Sequence, residues 1–372
     1  DRMGNSRRME YDGMGQVALA TDFMGNVYTF AYDARGELVK ETDPLGFHQD
    51  YSYDAFGNCT AWTDKNGGTT TYRFDAASQL TEVKDAAGGL TRYAYDTVGR
   101  VKTVTDALDH QTSYDYDAVG RIVGVTDALG NSVSYTYDKN GNLLTKTDEE
   151  GTVISYTYDK ENRISSIETD LGTTRFIYDK LGRVVSVEDT DGHVETAEYD
   201  GDGNSTAFTD KESQSTVYAY DASGRLAEET RPDGGKTSYE YNSNGNCTKI
   251  TDAEGNVYTC EYDANGRVTK ETDPLGYETA YEYDACGNLL SVTDARGGKT
   301  FFAYDGNGNR IKVTDPLEGE TVYTYDGMNR LTGSTDAEGH SCTYEYDVNG
   351  NRTACTDANG NRWSYEYDAL NR

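Results

Sequence analysis

Aspartates are the residues of this chain whose type and spacing come closest to those of a chemical site. In the stretch DGDGN, the oxygen-bearing side chains of Asp200, Asp202 and Asn204 alternate as they do at the start of a calcium-binding loop. Such a loop has glycine at its sixth position and a bidentate glutamate at its twelfth, whereas here glycine stands fourth and the glutamate is missing. Comparable aspartates are followed by Ala or Lys where further oxygen ligands would be needed. We therefore interpret them as turn residues, with calcium binding as the alternative.

The histidines and the remaining carboxylates form no catalytic constellation. His110, His193 and His340 occupy the same position of a repeated pattern, and His48 lies one residue further along it. No Ser or Cys recurs beside them, so the pattern lacks the nucleophile and base of a hydrolase, and surface strand positions are the simpler interpretation. Paired carboxylates can cleave glycosides, but nearly all carboxylates here stand at turn positions. The chain is predicted not to be an enzyme and to have no catalytic, cofactor-binding or metal-binding residues.

The tryptophans and cysteines point to no site either. Trp62 and Trp363 are interpreted as packing residues, with a sugar-binding platform as the alternative. The cysteines fall at unrelated positions of the repeat and show no CxxC-type spacing, which predicts free thiols, with one or more disulfides as the alternative. They are Cys59, Cys247, Cys260, Cys286, Cys342 and Cys355.

The composition restricts the class of protein. Only 35% of the 372 residues are hydrophobic, yet 32 are tyrosine and 40 are glycine, which favours an all-β repeat protein. The net charge of −31 excludes a nucleic-acid partner and fits a self-repelling surface or an acidic enclosure for something basic. No apolar run is long enough for membrane insertion. The N-terminus lacks the apolar core of a signal peptide, and we expect it to be a cut inside a longer chain.

One Tyr-Asp pair recurs along the whole chain and defines a unit of 21 residues. One step, from Tyr158 to Tyr178, is 20 residues, and the missing residue lies between Glu168 and Ile177. Residues 1–372 are therefore predicted to be a single array of about 18 repeats, truncated within a repeat at both ends. The residues at this position, here called the repeat tyrosines, are Tyr11, Tyr32, Tyr53, Phe74, Tyr95, Tyr116, Tyr137, Tyr158, Tyr178, Tyr199, Tyr220, Tyr241, Tyr262, Tyr283, Tyr304, Tyr325, Tyr346 and Tyr367.

The unit is predicted to consist of two strands and two turns. The first turn reads Tyr-Asp-x-x-Gly, the second reads Thr-Asp-x-x-Gly, and Asp109, Ser213 and Glu318 replace the second glycine. Each turn is predicted to be type I, with the aspartate binding backbone N–H groups and a last residue of positive φ in a G1 bulge. An aromatic residue two positions before the repeat tyrosine puts both rings on one face of a strand. In the other strand, Ile122 and Val125 break strict alternation, which predicts a bulge.

Linked hairpins predict one antiparallel ribbon of roughly 36 strands, about 170 Å long and about 20 Å wide. A sheet of this length has to curl, because strand twist accumulates along it. We expect the aromatic residues on the concave or packed face and Thr, Lys and Glu in solvent. Stability should come from stacking of neighbouring repeats, and the two terminal strands are unpaired edges.

The pattern YDxxGR…TDxxGxxTxYxYD, as in Tyr262 to Asp284, resembles the repeat of the RHS/YD-repeat family over essentially the whole chain. That family includes bacterial polymorphic toxins, insecticidal toxin-complex subunits and animal teneurins. The resemblance implies that the repeats wind into a β-strand spiral that forms a hollow shell, or cocoon, and that in the toxins the shell encloses a C-terminal payload. It also implies a secreted or cell-surface location.

The sequence departs from the toxin members at its end. Those members carry a C-terminal core segment with paired aspartates for self-cleavage and then a variable toxin, whereas this sequence ends in YDALNR, partway through a repeat. The DPLG stretches at Asp43–Gly46 and Asp273–Gly276, and the DPLE stretch at Asp315–Glu318, are similar to a fragment of that segment. They occupy the ordinary second turn, where Pro fits the first central position, and are interpreted as turns.

The sequence therefore predicts a non-catalytic structural segment, part of a β-shell that encloses or displays another part of its own chain, such as a C-terminal toxin. The alternative is a cell-surface adhesion or carbohydrate-binding module that uses exposed tyrosines. The predicted partners are the remainder of the chain and, under the alternative, cell-surface glycans. No cofactor is predicted.

Overall fold

The computed structural model describes residues 1–372 and contains 35 β-strands in one sheet and no helix. It therefore contains no helix that could cross a membrane. The strands are β1 (Arg8–Tyr11), β2 (Val17–Thr21), β3 (Val27–Tyr32), β4 (Leu38–Thr42), β5 (His48–Tyr53), β6 (Cys59–Thr63), β7 (Thr69–Phe74), β8 (Leu80–Lys84), β9 (Leu90–Tyr95), β10 (Val101–Thr105), β11 (Gln111–Tyr116), β12 (Ile122–Thr126), β13 (Ser132–Tyr137), β14 (Leu143–Thr147), β15 (Val153–Tyr158), β16 (Ile164–Thr169), β17 (Gly172–Tyr178), β18 (Val184–Glu188), β19 (Val194–Tyr199), β20 (Ser205–Thr209), β21 (Ser215–Tyr220), β22 (Leu226–Thr230), β23 (Lys236–Tyr241), β24 (Cys247–Thr251), β25 (Val257–Tyr262), β26 (Val268–Thr272), β27 (Glu278–Tyr283), β28 (Leu289–Thr293), β29 (Lys299–Tyr304), β30 (Arg310–Thr314), β31 (Glu320–Tyr325), β32 (Leu331–Thr335), β33 (Ser341–Tyr346), β34 (Arg352–Thr356) and β35 (Arg362–Ser364).

Strands that follow each other in sequence pair antiparallel, which confirms the predicted all-β ribbon. Contacts within the chain distinguish two compact units. Unit 1 comprises Asp1–Thr112 and Glu261–Arg372, and unit 2 comprises Ser113–Cys260. The same hairpin builds both units, and all first turns lie on one edge of the ribbon and all second turns on the other. We call these edges the first-turn edge and the second-turn edge.

The first turn has the predicted geometry, as the turn at Asp117 shows. The N–H of Gly120 donates to the Asp117 carbonyl at 3.1 Å, and Gly120 has φ 94°. The Asp117 carboxylate accepts from the N–H groups of Val119 and Arg121 at 3.0 and 2.9 Å. Two N–H groups that the strand ladder cannot satisfy are thus bound by one side chain, which makes aspartate the favoured residue here.

The predicted bulge is also present in the strand after the first turn. Tyr116 lies opposite Ile122 while Asp115 lies opposite Gly124, so Val123 is the extra residue. The same register shift recurs beside the other repeat tyrosines, for example between Thr136 and Tyr137.

Residues other than glycine at the last turn position keep the left-handed conformation. Their φ values lie between 60° and 65° in both turn types. They are Ser78, Asp109, Asn162, Ser213, Glu318, Asn329 and Asn371. The turn geometry is thus maintained even where the residue is one that the left-handed region disfavours. The shortened repeat places its deletion in the second turn, where Thr169 pairs directly with Gly172.

Repeat tyrosines bind the preceding repeat through their hydroxyl groups. The Tyr137 hydroxyl donates to the Ile122 carbonyl at 2.8 Å, and the Tyr241 hydroxyl donates to the Leu226 carbonyl at 2.8 Å. The acceptor is 15 residues earlier in nearly every repeat that forms the bond, at the start of the preceding strand. The repeat tyrosine is therefore a link between neighbouring hairpins.

An arginine after the first turn joins the same contact. Arg121 Nε donates to the Asp117 carboxylate at 2.7 Å, and its NH1 group donates to the Asp138 carbonyl in the next repeat at 2.8 Å. Its guanidinium lies 4.7 Å from the centre of the Tyr137 ring. Arg183 and Arg225 make equivalent contacts with Tyr199 and Tyr241. One planar cation thus holds its own turn, the next turn and the next ring together.

Unit 1 contains a seam where its two segments meet edge to edge, with first turns of the second segment lying against second turns of the first. Asn265 Nδ2 donates to Asp22 Oδ2 at 2.7 Å, and Asn349 Nδ2 donates to Asp106 Oδ2 at 2.6 Å. In each pair the partners are 243 residues apart. The ribbon therefore returns to contact itself after this length, as a spiral requires.

Backbones approach each other closely in the middle of the seam. The Lys65 N–H donates to Asn307 Oδ1 at 3.0 Å. A Cβ on Gly306 would lie 2.8 Å from Phe47 Cδ1 and 2.9 Å from the Lys65 carbonyl oxygen, and one on Gly89 would lie 2.8 Å from a carbonyl oxygen of the opposite turn. These glycines are needed for close approach rather than for positive φ.

Replacing Tyr137 with Phe is expected to reduce the free energy of unfolding by about 1 kcal/mol, because the Ile122 carbonyl loses its donor from the next repeat. Tyr135→Phe on the same strand is the matched control, because Tyr135 takes no part in this bond. Denaturant titration followed by circular dichroism measures both. Equal losses from the two variants would contradict the assignment of the bond.

Replacing Gly306 with Ala is expected to destabilise unit 1 by about 1–3 kcal/mol, because the new methyl group would overlap Phe47 and the Lys65 backbone. Gly13 occupies the same repeat position, but a Cβ there would meet no neighbouring atom within 4 Å, so Gly13→Ala is expected to be nearly neutral. Thermal denaturation compares the two variants. A neutral Gly306→Ala would mean that the seam does not persist in solution.

Candidate functional site

The sheet has two chemically different faces. One, the aromatic face, carries the repeat tyrosine and the residue two positions before it, and the other is the polar face. Along β13 the side chains alternate between exposed and half-buried, and Tyr135 and Tyr137 are both half-buried. Ala354, at 1% exposure, is the chain's only buried hydrophobic residue. No second layer therefore covers the aromatic face, which is packed only by its own neighbours and is less buried than the sequence predicts.

The polar face carries ion pairs between neighbouring strands. Lys236 Nζ lies 2.6 Å from the Glu228 carboxylate, and Lys299 Nζ lies 2.9 Å from that of Glu282. These pairs are largely exposed, so each contributes little to stability. The face is suited to contact with water, as the sequence predicts.

Arginines on the aromatic face replace the usual aliphatic residue beside some repeat tyrosines. The Arg352 guanidinium lies 5.8 Å from the centre of the Tyr344 ring and 5.1 Å from that of Tyr365. Arg310 is placed in the same way between Phe302 and Tyr323. The rings thus hold cations as well as each other, a role that sequence reasoning missed.

A shallow apolar depression of about 470 Å³ lies on the aromatic face of unit 1. Tyr51, Trp62, Tyr72 and Phe74 contribute the rings that line it. Trp62 Nε1 donates to the side-chain oxygen of Gln49 at 3.1 Å, so the one amide in the depression is already bound. Partial burial raises the pKa of Tyr51 and Tyr72, which keeps both hydroxyl groups neutral.

The predicted calcium-like stretch has the hydrogen bonds of an ordinary first turn. The Asp200 carboxylate accepts from the N–H groups of Asp202 and Asn204 at 3.0 and 2.8 Å. Its second oxygen accepts from Asn204 Nδ2 at 2.9 Å, and this side-chain bond is the main cause that lowers the pKa of Asp200. Both carboxylate oxygens are therefore engaged within the turn.

The histidines lie in separate repeats and contact only nearby aspartates. His110, His193 and His340 place Nδ1 3.1, 3.3 and 3.1 Å from the aspartate of their own second turn. His48 lies 3.3 Å from Asp50. The structure brings none of them beside a nucleophile.

Two second turns gather three possible metal ligands each, which sequence reasoning missed. They are Asp189, Asp191 and His193, and Asp336, Glu338 and His340, with ligand atoms within 4.8 Å of one another. The signal in the sequence is Asp-x-(Asp/Glu)-Gly-His. The carboxylates of Asp189 and Asp336 already accept N–H groups of their own turns, and the backbone bonds from His193 and His340 are the largest cause of their lowered pKa values. That the chain binds no metal remains a prediction.

The DPLG stretch at Asp43 is a second turn that lies in the seam. The Asp43 carboxylate accepts from the N–H groups of Leu45 and Phe47 at 3.0 Å each and pairs with Lys65 Nζ at 2.7 Å. Asp43 is 5% exposed. Its turn role is as predicted, while its burial results from the opposite segment. All six cysteines are free thiols and half-buried, and burial raises the pKa of Cys286 in the same seam.

Acidification is expected to destabilise the chain below about pH 4, the ordinary pKa range of aspartate. Hydrogen bonds from Arg121 and Arg225 are the leading causes that lower the pKa of Asp117 and Asp221 in the folded chain. A lowered pKa contributes stability above the unfolded-state pKa that is lost as the pH falls through the folded-state value. Melting temperature from pH 6 to pH 2.5 measures the effect. A melting temperature that rises throughout would show that relief of charge repulsion dominates instead.

The repeat pattern is shared with a known protein family. The RHS repeat model matches residues 53–90, 95–132, 116–153, 137–174, 199–236, 220–257, 262–299, 304–341 and 346–372. Comparison with curated protein sequences found no match.

The fold is that of solved toxin-complex shells. The chain superimposes on the crystal structure of TcdB2-TccC3 with a TM-score of 0.84 and 16% identity, covering 98% of this chain and 24% of that chain. For TcdB2-TccC3-Cdc42 the values are 0.80, 17%, 96% and 23%. For the Tc holotoxin pore of Photorhabdus luminescens they are 0.63, 14%, 96% and 26%. The chain thus spans about a quarter of each matched chain. The repeat pattern, the hairpin geometry and the family match together show that this chain belongs to the RHS repeat family.

Proposed function

We propose that this chain is a non-catalytic segment of a hollow β-shell that encloses another part of its own polypeptide. The observation that carries the proposal is the single-layer sheet with one half-exposed aromatic face. In an ordinary antiparallel domain such a face packs against a second layer. Here the side chains of the aromatic face have no such layer, so its apolar surface is available to another polypeptide.

The two faces assign an inside and an outside to the proposed shell. The polar face carries exposed ion pairs and suits the outer surface. The aromatic face carries half-buried tyrosines and stacked arginines, which contact apolar and polar groups without a single defined geometry. A surface of this kind suits a polypeptide that is held rather than recognised at one site.

The similar structures support this proposal through their fold. One of them is described as TcdB2-TccC3 without its hypervariable C-terminal region, so those shells belong to chains that have such a region. The family resemblance likewise implies enclosure of a C-terminal payload. We propose a location outside the cytoplasm on the same basis.

The alternative of glycan binding has less support. A sugar site needs polar groups that converge beside an aromatic ring. The depression around Trp62 is lined almost entirely by apolar side chains, and its Gln49 amide is bound to Trp62.

Enclosure can be tested with cysteines placed on adjacent residues of opposite faces. Thr216 lies on the aromatic face and Val217 on the polar face of β21. Thr216→Cys and Val217→Cys, each in a background without other cysteines, would be labelled with a bulky maleimide. Both should react in the isolated 372-residue chain. In the complete polypeptide from its source, Thr216→Cys is expected to be protected at least tenfold and Val217→Cys to react unchanged.

Equal reactivity of Thr216→Cys in the two polypeptides would contradict enclosure. Loss of reactivity at both positions would show that something covers the outside, which the proposal does not allow.

A further inference from the structure

We propose that the two uncovered edges of unit 1 are a docking interface for a second copy of this chain, which would repeat the seam between molecules. The seam already joins a second-turn edge to a first-turn edge within unit 1. The first segment leaves its first-turn edge uncovered, and the second segment leaves its second-turn edge uncovered. One molecule therefore carries both halves of another seam.

Burial distinguishes the covered and uncovered second-turn edges. In the first segment, where the seam covers this edge, Asp43 and Asp64 are 5% and 8% exposed. In the second segment, where nothing covers it, the equivalent Asp294 and Asp315 are exposed. The neighbouring Leu317 side chain is 90% exposed. The same turn is thus buried or bare according to whether a first turn lies against it.

The first-turn edge shows the reverse pattern. In the second segment, Asn265 and Asn307 are half-buried in the seam and bind the opposite turns. At the equivalent position of the first segment, Phe56 and Val98 are 82% and 71% exposed. Apolar side chains of this size are not usually left on a bare ribbon edge without a partner.

A second copy fits these edges because the chain itself supplies the matching surface. Turns recur every 21 residues along both edges, so a row of turns on one copy can align with a row on the next. The exposed leucines Leu275 and Leu317 lie on the second-turn edge, and Phe56 and Val98 lie on the first-turn edge, which gives an apolar contact in place of the asparagine bonds within the chain. The two surfaces differ, so the association is head to tail and does not close on itself.

The charge of the chain opposes this association and provides a diagnostic. Each copy carries −31, and aspartates line both edges. Salt screens such repulsion and strengthens the burial of apolar groups. Association is therefore expected to strengthen as the salt concentration rises.

Sedimentation velocity of the 372-residue chain over a hundredfold concentration range tests the proposal. The expected result is a weight-average sedimentation coefficient that rises with concentration and with salt. A double variant, Phe56→Glu with Val98→Glu, disables the first-turn edge. A second, Leu275→Glu with Leu317→Glu, disables the second-turn edge. All four side chains are at least 71% exposed, so neither variant should impair folding, which circular dichroism checks.

Mixing the two variants separates edge docking from general stickiness. Each variant alone should sediment as a monomer, and an equimolar mixture should form a 1:1 complex that grows no further, because each retains one intact edge. A control variant, Ile177→Glu with Val217→Glu, adds the same charge on the polar face and should associate like the unaltered chain. The proposal is overturned if the unaltered chain stays monomeric throughout, if either edge variant still associates alone, or if the mixture forms no complex.

Discussion

A sheet with one layer has no core, so every contact that holds it must run along the ribbon. The hydroxyl of each repeat tyrosine and the arginine above its ring meet this constraint, because both reach from one hairpin to the next. Turn aspartates and bulges then keep the hairpins in a single register. Stability accumulates from many similar contacts between neighbours, as it does in other repeat proteins.

The seam adds a different kind of contact. Asparagine and aspartate side chains bind across it, and glycines allow two backbones to approach where a methyl group would not fit. These bonds join residues 242 or 243 apart, so they hold the winding rather than the strand order. The same turn chemistry thus serves as a local closure everywhere and as a long-range joint in unit 1.

Function in such a chain lies in surfaces rather than in a constellation of residues. The histidines and acidic turns are distributed by the repeat, and the structure brings none of them into a cleft with a nucleophile. The aromatic face and the ribbon edges are instead the surfaces with unsatisfied contacts. The first is suited to an enclosed polypeptide and the second to more of the same ribbon.

The amino-acid sequence by itself determined the strands, the two turns, the bulge beside Ile122 and the left-handed turn residues. Each depends on residues within a few positions of one another, and many copies of one pattern average out exceptions such as Glu318. Only the tertiary structure decided which tyrosine hydroxyl meets which carbonyl, and why Gly306 is crowded while Gly13 is open. Equivalent positions of the repeat carry the same residue types, and the length of one winding is a sum of small twists along the ribbon. No local pattern encodes that sum, so the partners in the seam could not be predicted.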